Sequence, residues 1–307
     1  MIRIGKKNEI RLEVTDRLND ISYASGYAHH PIGGILRGVS LYALPESNMR
    51  DFFVETLLDD AYQDADLRIV YSMSASAKVS FTLKEKKSGR VCLESGVLAC
   101  QQGDNEHRFR ISRPELWDAE HPNLLILQVN VQSADGGYSF EREIGFRKIE
   151  VKGDRMLVNG KQVKLRGACR HDIHPTLGRT STPELDSLDA ALFKRANMNF
   201  VRTSHYPPTE SFLKYCDREG IYVECETAVC FVDTYRQKNY APGKSQDDPE
   251  ATAQYLGQLE EMVATSRSHA SVLFWSIGNE SVYGKNFQLS YDWLKNEDKT
   301  RPVIFSY

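Results

Sequence analysis

The sequence predicts a multidomain chain of the β plus α/β class: an antiparallel β-sandwich, then the first half of an eight-stranded (β/α)8 TIM barrel. Three observations carry this. Up to about residue 150, short runs alternate apolar and polar residues with period two, and no helical stretch intervenes. After residue 155, strand-like and helix-like segments alternate, as in a parallel sheet covered by helices. These βα units come to four complete and a fifth begun, about half of an eight-stranded barrel.

In chain order, period-two runs fall at Ile10-Arg11-Leu12-Glu13-Val14, Ser40-Leu41-Tyr42-Ala43-Leu44, Leu67-Arg68-Ile69-Val70-Tyr71, Val79-Ser80-Phe81-Thr82-Leu83 and Leu125-Ile126-Leu127-Gln128-Val129. Hairpin turns are expected at Lys87-Ser88-Gly89, Gln102-Gly103-Asp104-Asn105 and Asp135-Gly136-Gly137. The stretch from Pro45 to Arg50 has no periodicity and separates a fragment from a complete sandwich. Met156-Leu157-Val158-Asn159-Gly160-Lys161 reads as a further hairpin. Strands then follow near 164–170, 199–204, 221–226, 272–278 and 303–306, with helices at 184–197, 208–219, about 250–267 and 287–296. Thr182-Pro183-Glu184 and Pro208-Thr209-Glu210 supply helix-start residues.

Composition prunes the functional classes. The 307 residues carry 39 basic and 42 acidic side chains, a net charge of -3, so no chain-wide positive field exists to hold nucleic acid or anionic lipid. No apolar run approaches the roughly 20 residues that span a bilayer. The six cysteines show no C-x-x-C pair and read as free thiols. The N-terminal Met-Ile-Arg-Ile-Gly-Lys-Lys lacks the apolar core of a signal peptide. No G-x-S-x-G, Walker A, G-x-G-x-x-G or H-E-x-x-H sequence occurs.

In barrels, chemistry collects where strands end at the carboxyl edge. The buried-strand run Val272-Leu273-Phe274-Trp275-Ser276-Ile277-Gly278 ends in Asn279-Glu280, placing a candidate acid or base at the mouth, with a helix N-cap region as the structural alternative. The second strand ends in Arg202-Thr203-Ser204-His205-Tyr206-Pro207-Pro208, a group of donors with an aromatic face. The first ends in Arg170-His171-Asp172-Ile173-His174, whose His-x-x-His spacing is too sparse for a metal site. On the third, Tyr222, Glu224 and Glu226 share one face. Paired carboxylates across a cavity are what glycoside hydrolysis requires, one protonating the leaving oxygen while the other attacks or activates water.

These residues carry a resemblance to glycoside hydrolase family 2, the family of β-galactosidases, β-glucuronidases and β-mannosidases. Its most specific carriers are R-T-S-H-Y-P at 202–207 and H-x-S-V-L-F-W-S-I-G-N-E at 269–280. Gly34-Ile35-Leu36-Arg37-Gly38-Val39-Ser40-Leu41 resembles the motif closing the family's N-terminal sugar-binding sandwich. The resemblance implies three parts: the tail of a jelly-roll domain at 1–47, an immunoglobulin-like sandwich at 48–151, and the N-terminal half of a catalytic TIM barrel at 152–307. It implies Glu280 as general acid/base and Asn279 as a contact to the sugar 2-hydroxyl. His205, His171, Glu226 and Arg202 then line the sugar subsite of a retaining double displacement.

The departures from the pattern also set expectations. The family's nucleophilic Glu lies on a later barrel strand, so no residue here takes that part, and the chain is expected to be truncated at both ends and inactive alone. Where the magnesium-dependent β-galactosidases have Glu and His after the third strand, Cys230 and Val232 stand, so no metal and no cofactor are expected. The His174-Pro175-Thr176-Leu177-Gly178 stretch leans towards β-galactosidase; β-glucuronidase or β-mannosidase specificity, or a non-catalytic carbohydrate-binding protein, are the alternatives. The expected partner is a carbohydrate, with no nucleic acid and no membrane, and the full-length protein is expected to be a homo-oligomer of the bacterial cytoplasm or periplasm.

Overall fold

The computed structural model describes residues 5–14, 34–134, 136–232 and 245–306. Two antiparallel sheets form the sandwich. In one, β1 (Met49–Leu58), β2 (Asp64–Met73) and β6 (Gly103–Ser112) lie in the order β1-β2-β6. The other has the order β4-β3-β7-β8, with β5 also paired to β3. Its strands are β3 (Ala77–Glu85), β4 (Val91–Glu94), β5 (Leu98–Cys100), β7 (Leu125–Ser133) and β8 (Gly136–Ile144). Period two decides which side chains meet between the sheets. Leu67, Ile69, Tyr71 and Met73 of β2 face Val79, Phe81 and Leu83 of β3 and Leu127, Val129 and Val131 of β7 in one buried cluster.

Three expectations in this half need correction. Residues 10–14 and 40–44 form no strand; Ile10, Leu12, Leu41, Tyr42 and Leu44 are exposed, because alternation holds a strand only where a partner strand and a core receive it. Gln102 to Asn105 is not a hairpin. It carries the chain from β5 in one sheet to β6 in the other, with the Asn105 side chain bridging the backbone of Gln101 and Gly103. The hairpin expected at Asp135-Gly136-Gly137 does join β7 to β8, with Ser133 paired to Gly136, but Gly136 and Gly137 already belong to β8 and Asp135 lies outside the described residues.

A meander of β9 (Ile149–Lys152), β10 (Arg155–Val158) and β11 (Lys161–Gln162) joins sandwich to barrel. Asn159 and Gly160, both at positive φ, link the paired Val158 and Lys161 as a two-residue hairpin. Gly160 is further required because a Cβ there would come within 2.6 Å of the Tyr62 ring.

The parallel sheet runs β12-β13-β14-β15-β16: Gly167–Arg170, Phe200–Thr203, Tyr222–Glu226, Val272–Asn279 and Val303–Ser306. Between these strands come α1 (Pro183–Arg195), α2 (Glu210–Glu219), α3 (Thr252–Ser266) and α4 (Lys285–Glu297). Thr182 and Thr209 cap α1 and α2, accepting from Leu185 and Phe212 N–H, and Gly220 closes α2 in the left-handed conformation. Val201, Val223, Cys225, Trp275 and Ile277 point outward into the helix layer, so Arg202, Glu224 and Glu226 point the other way, into the barrel. Among the described residues no helix is long and apolar enough to cross a membrane.

The sandwich closes the amino-terminal end of this sheet. Trp117, fully buried, stacks edge-on against Tyr222 and donates from Nε1 to the Asp217 carbonyl at 2.8 Å. Arg147 reaches beneath β15, donating to the Ala270 and Val272 carbonyls at 2.6 and 2.9 Å. Trp117→Ala would leave a cavity at this seam and strand a carbonyl, so urea unfolding should show a loss of about 3–5 kcal/mol.

Candidate functional site

At the carboxyl edge, three consecutive strands deliver polar groups to one place. Arg202, near the end of β13, donates from Nε and Nη2 to Glu226 Oε2 at 2.9 and 2.5 Å, and from Nη2 to Asn279 Oδ1 at 2.8 Å. His205 Nδ1 lies 2.6 Å from Glu226 Oε1; a carboxylate can only accept, so Nδ1 carries the hydrogen. Ser276 donates to Glu226 Oε2 at 2.6 Å, and Thr203 Oγ1 accepts from the Glu226 backbone at 3.3 Å. The peptide bond between Ser204 and His205 is cis.

Glu226 is completely buried, and four side-chain hydrogen bonds occupy its two oxygens. A carboxylate engaged in this way is an orienting group. Glu224 and Glu226 lie on one face of β14, as period two predicts, and both meet Arg202. Burial, followed by repulsion from Glu226, raises the Glu224 carboxyl to about 7 against the pull of Arg202.

Asn279 ends β15, its amide held between the Arg202 guanidinium and Cys230 Sγ, to which Nδ2 donates at 3.2 Å. Glu280 follows at φ 38°, in the left-handed region, with its N–H donated to the Ser306 carbonyl at 2.7 Å. Gly278 permits the bend: a Cβ there would stand 2.8 Å from Phe287 and 3.0 Å from the Val229 carbonyl. The expected end of β15 moves from 278 to Asn279.

His171 joins the group through rings, edge-on to His205 at 5.5 Å and 3.4 Å from the Tyr206 hydroxyl. Burial, with repulsion from His205 and Arg179, lowers its imidazole to about 4, so it is neutral near pH 7. His174 does not join; its backbone pairs with Gly178 and Nδ1 faces Thr176.

Behind His171 stands a support that the sequence reading missed. The Tyr206 hydroxyl accepts from Asp172 N–H at 2.8 Å, while the Asp172 carboxylate meets both Arg170 and Arg37. Arg170 runs on to Asp186 at 3.0 Å, a completely buried carboxylate that also accepts from Ser181, Thr209 and Ser211. Arg37 further donates to the carbonyls of Pro207 and Pro208 at 2.7 and 3.3 Å, strapping residues 34–38 to the loop that carries His205. A signal for Ser276 was present, a hydroxyl inside an apolar run. The parts played by Asp186 and Arg37 depend on contacts 16 and 135 residues apart, and no local pattern marks them.

Two predictions follow from these charges. Arg202→Met would leave Glu226 buried without its guanidinium and should cost about 3–5 kcal/mol by urea unfolding, recovered in part when Glu226 is also made apolar. Because the folded-state pKa of His171 lies below the ordinary 6.5, its contribution to stability is lost as pH falls from 6.5 through about 4. His171→Gln should therefore flatten the melting temperature over that window.

Comparison with known proteins now adds to this geometry. A model described as "Glycosyl hydrolases family 2, TIM barrel domain" matches residues 149–307, and another, "Glycosyl hydrolases family 2", matches 47–147. A beta-galactosidase of Photobacterium profundum is 31% identical over 301 residues, 94% of this chain and 29% of that protein. One from Priestia megaterium is 33% identical over 315 residues, 97% of this chain and 30% of that protein. The chain thus spans under a third of the length of these curated relatives. A crystal structure of a Parabacteroides merdae beta-glucuronidase superposes with TM-score 0.79 at 24% identity, over 89% of this chain and 35% of that one. A Dictyoglomus thermophilum beta-D-glucuronidase gives 0.79 at 24%, over 90% and 46%. At that identity the two structures speak for the fold.

Proposed function

Because the chain belongs to glycoside hydrolase family 2, we propose that it forms part of a β-galactosidase-like enzyme cleaving terminal β-linked sugars by retaining double displacement. The observation that carries this is the end of β15, where Asn279 is oriented by Arg202 and Glu280 emerges beside it at the barrel mouth. In the first step, Glu280 donates its proton to the leaving oxygen as the bond to the anomeric carbon breaks and a second carboxylate adds to that carbon. In the second, Glu280 takes a proton from water, whose oxygen displaces the carboxylate. Asn279 holds the sugar 2-hydroxyl, while His205 and His171 line the subsite. The second carboxylate has no assigned residue in this chain, and Glu226 is unsuited to it because its oxygens are already occupied. The names of the curated relatives favour a galactoside. The same reading divides the chain into a jelly-roll tail at 1–47, an immunoglobulin-like sandwich at 48–151 and the first half of the barrel from 152.

Calorimetry with galactose, glucuronate and mannose tests the subsite. Galactose should bind most tightly, and Asn279→Ala should weaken it by about tenfold, the worth of one lost hydrogen bond. Preference for glucuronate or mannose would overturn the galactoside reading. In a nitrophenyl β-galactoside assay the 307 residues alone should show no turnover; hydrolysis abolished by Glu280→Gln would place the attacking carboxylate within them.

A further inference from the structure

We propose that Glu224 is a positioning residue for the polar cluster at the barrel mouth, its charge setting how the Arg202 guanidinium is shared between Asn279 and the two carboxyl groups of β14. The inference builds on the reading of that cluster as a sugar subsite. Glu224 lies two residues before Glu226 on the same face of β14, one layer deeper, and is 6% exposed. Its Oε1 stands 3.1 Å from Arg202 Nε. Among the described residues Oε1 is a buried oxygen that accepts no hydrogen bond, while the Ser306 hydroxyl bonds to the carboxyl group. Arg202 aims Nε and Nη2 at Glu226 and Nη2 also at Asn279. Glu224 therefore acts on the guanidinium by charge alone, at short range and away from water, where Coulomb forces are strong.

One guanidinium serving three residues rests where their attractions balance. A change in the charge of one shifts it relative to the others, and the Asn279 amide moves with it. Among the described residues the groups facing this cluster include Arg202 on β13, His205 in the loop after it, His171 after β12, Glu226 on β14, the thiols of Cys169 on β12 and Cys230 after β14, the Ser276 hydroxyl on β15 and the Ser306 hydroxyl on β16. Of these charges, Glu224 is the one that burial moves to about 7. Below that pH the cluster holds one guanidinium against the Glu226 carboxylate. Above it a second carboxylate draws Arg202 inward, away from Asn279.

The test follows the Asn279 side-chain amide by two-dimensional 15N NMR from about pH 5.5 to about pH 8.5, beside the 13C carboxyl signal of Glu224. Coincident midpoints near 7, with an amide that no longer titrates in Glu224→Gln, are the expected result. An amide that is stationary in the native chain, that titrates apart from the Glu224 carboxyl, or that titrates unchanged in Glu224→Gln overturns the proposal. The wild-type comparison of midpoints decides it even if that variant does not fold. Galactose titrated at the two pH extremes should bind about fivefold more weakly at the higher one in the native chain and equally in the variant. Absence of galactose binding at both extremes would sink the sugar-site reading, and the amide titration would still decide the role of Glu224.

Discussion

A guanidinium inside a barrel is tolerable only when oxygens surround it. Arg202 meets that condition by joining three neighbouring strands: its own β13, Glu226 of β14 and Asn279 of β15. The other contacts of the site derive from this one. Glu226 is accommodated at zero exposure because the Arg202 guanidinium bonds to it, and the same side chain orients His205 and accepts from Ser276. The orientation of the Asn279 amide, ambiguous in isolation, is settled because a guanidinium can only donate and so selects Oδ1.

The sandwich makes its contribution from below. Arg147, at the end of the sandwich, bonds to carbonyls at the start of β15, seven to nine residues before Asn279. Trp117 meets the first residue of β14, whose last residue is Glu226. Two of the three strands carrying the site are thus anchored at the far end by another layer of the chain. Rigid strands transmit that registration to their tips and so fix the relative positions of Arg202, Glu226 and Asn279.

Much of this was legible in the residues themselves. Helix starts at Thr182 and Thr209 follow from local capping chemistry, and the parallel strands follow from apolar runs that need no partner to be recognised. Arg202, His205, Glu226 and Asn279 were found because strand ends and period two place them on one edge before any contact is known. What stayed hidden depends on pairing across the sheet or the chain. The runs at 10–14 and 40–44 have the alternation of strands and none of the pairing. The segment at 102–105 has turn residues that serve a crossing between sheets. The sharing of Arg202 between Glu224 and Glu226, and the anchoring of Asp172 by Arg37, emerge only from side-chain geometry.

The left-handed backbone at Glu280 has a consequence for sequence change. That conformation disfavours side chains by about 1 kcal/mol or more, and glycine or asparagine occupy it more readily. The backbone bond from this residue to the Ser306 carbonyl requires no particular side chain, so the preference acts on the residue type alone. Whatever the Glu280 carboxyl group contributes is therefore obtained against the conformational preference of the backbone that carries it.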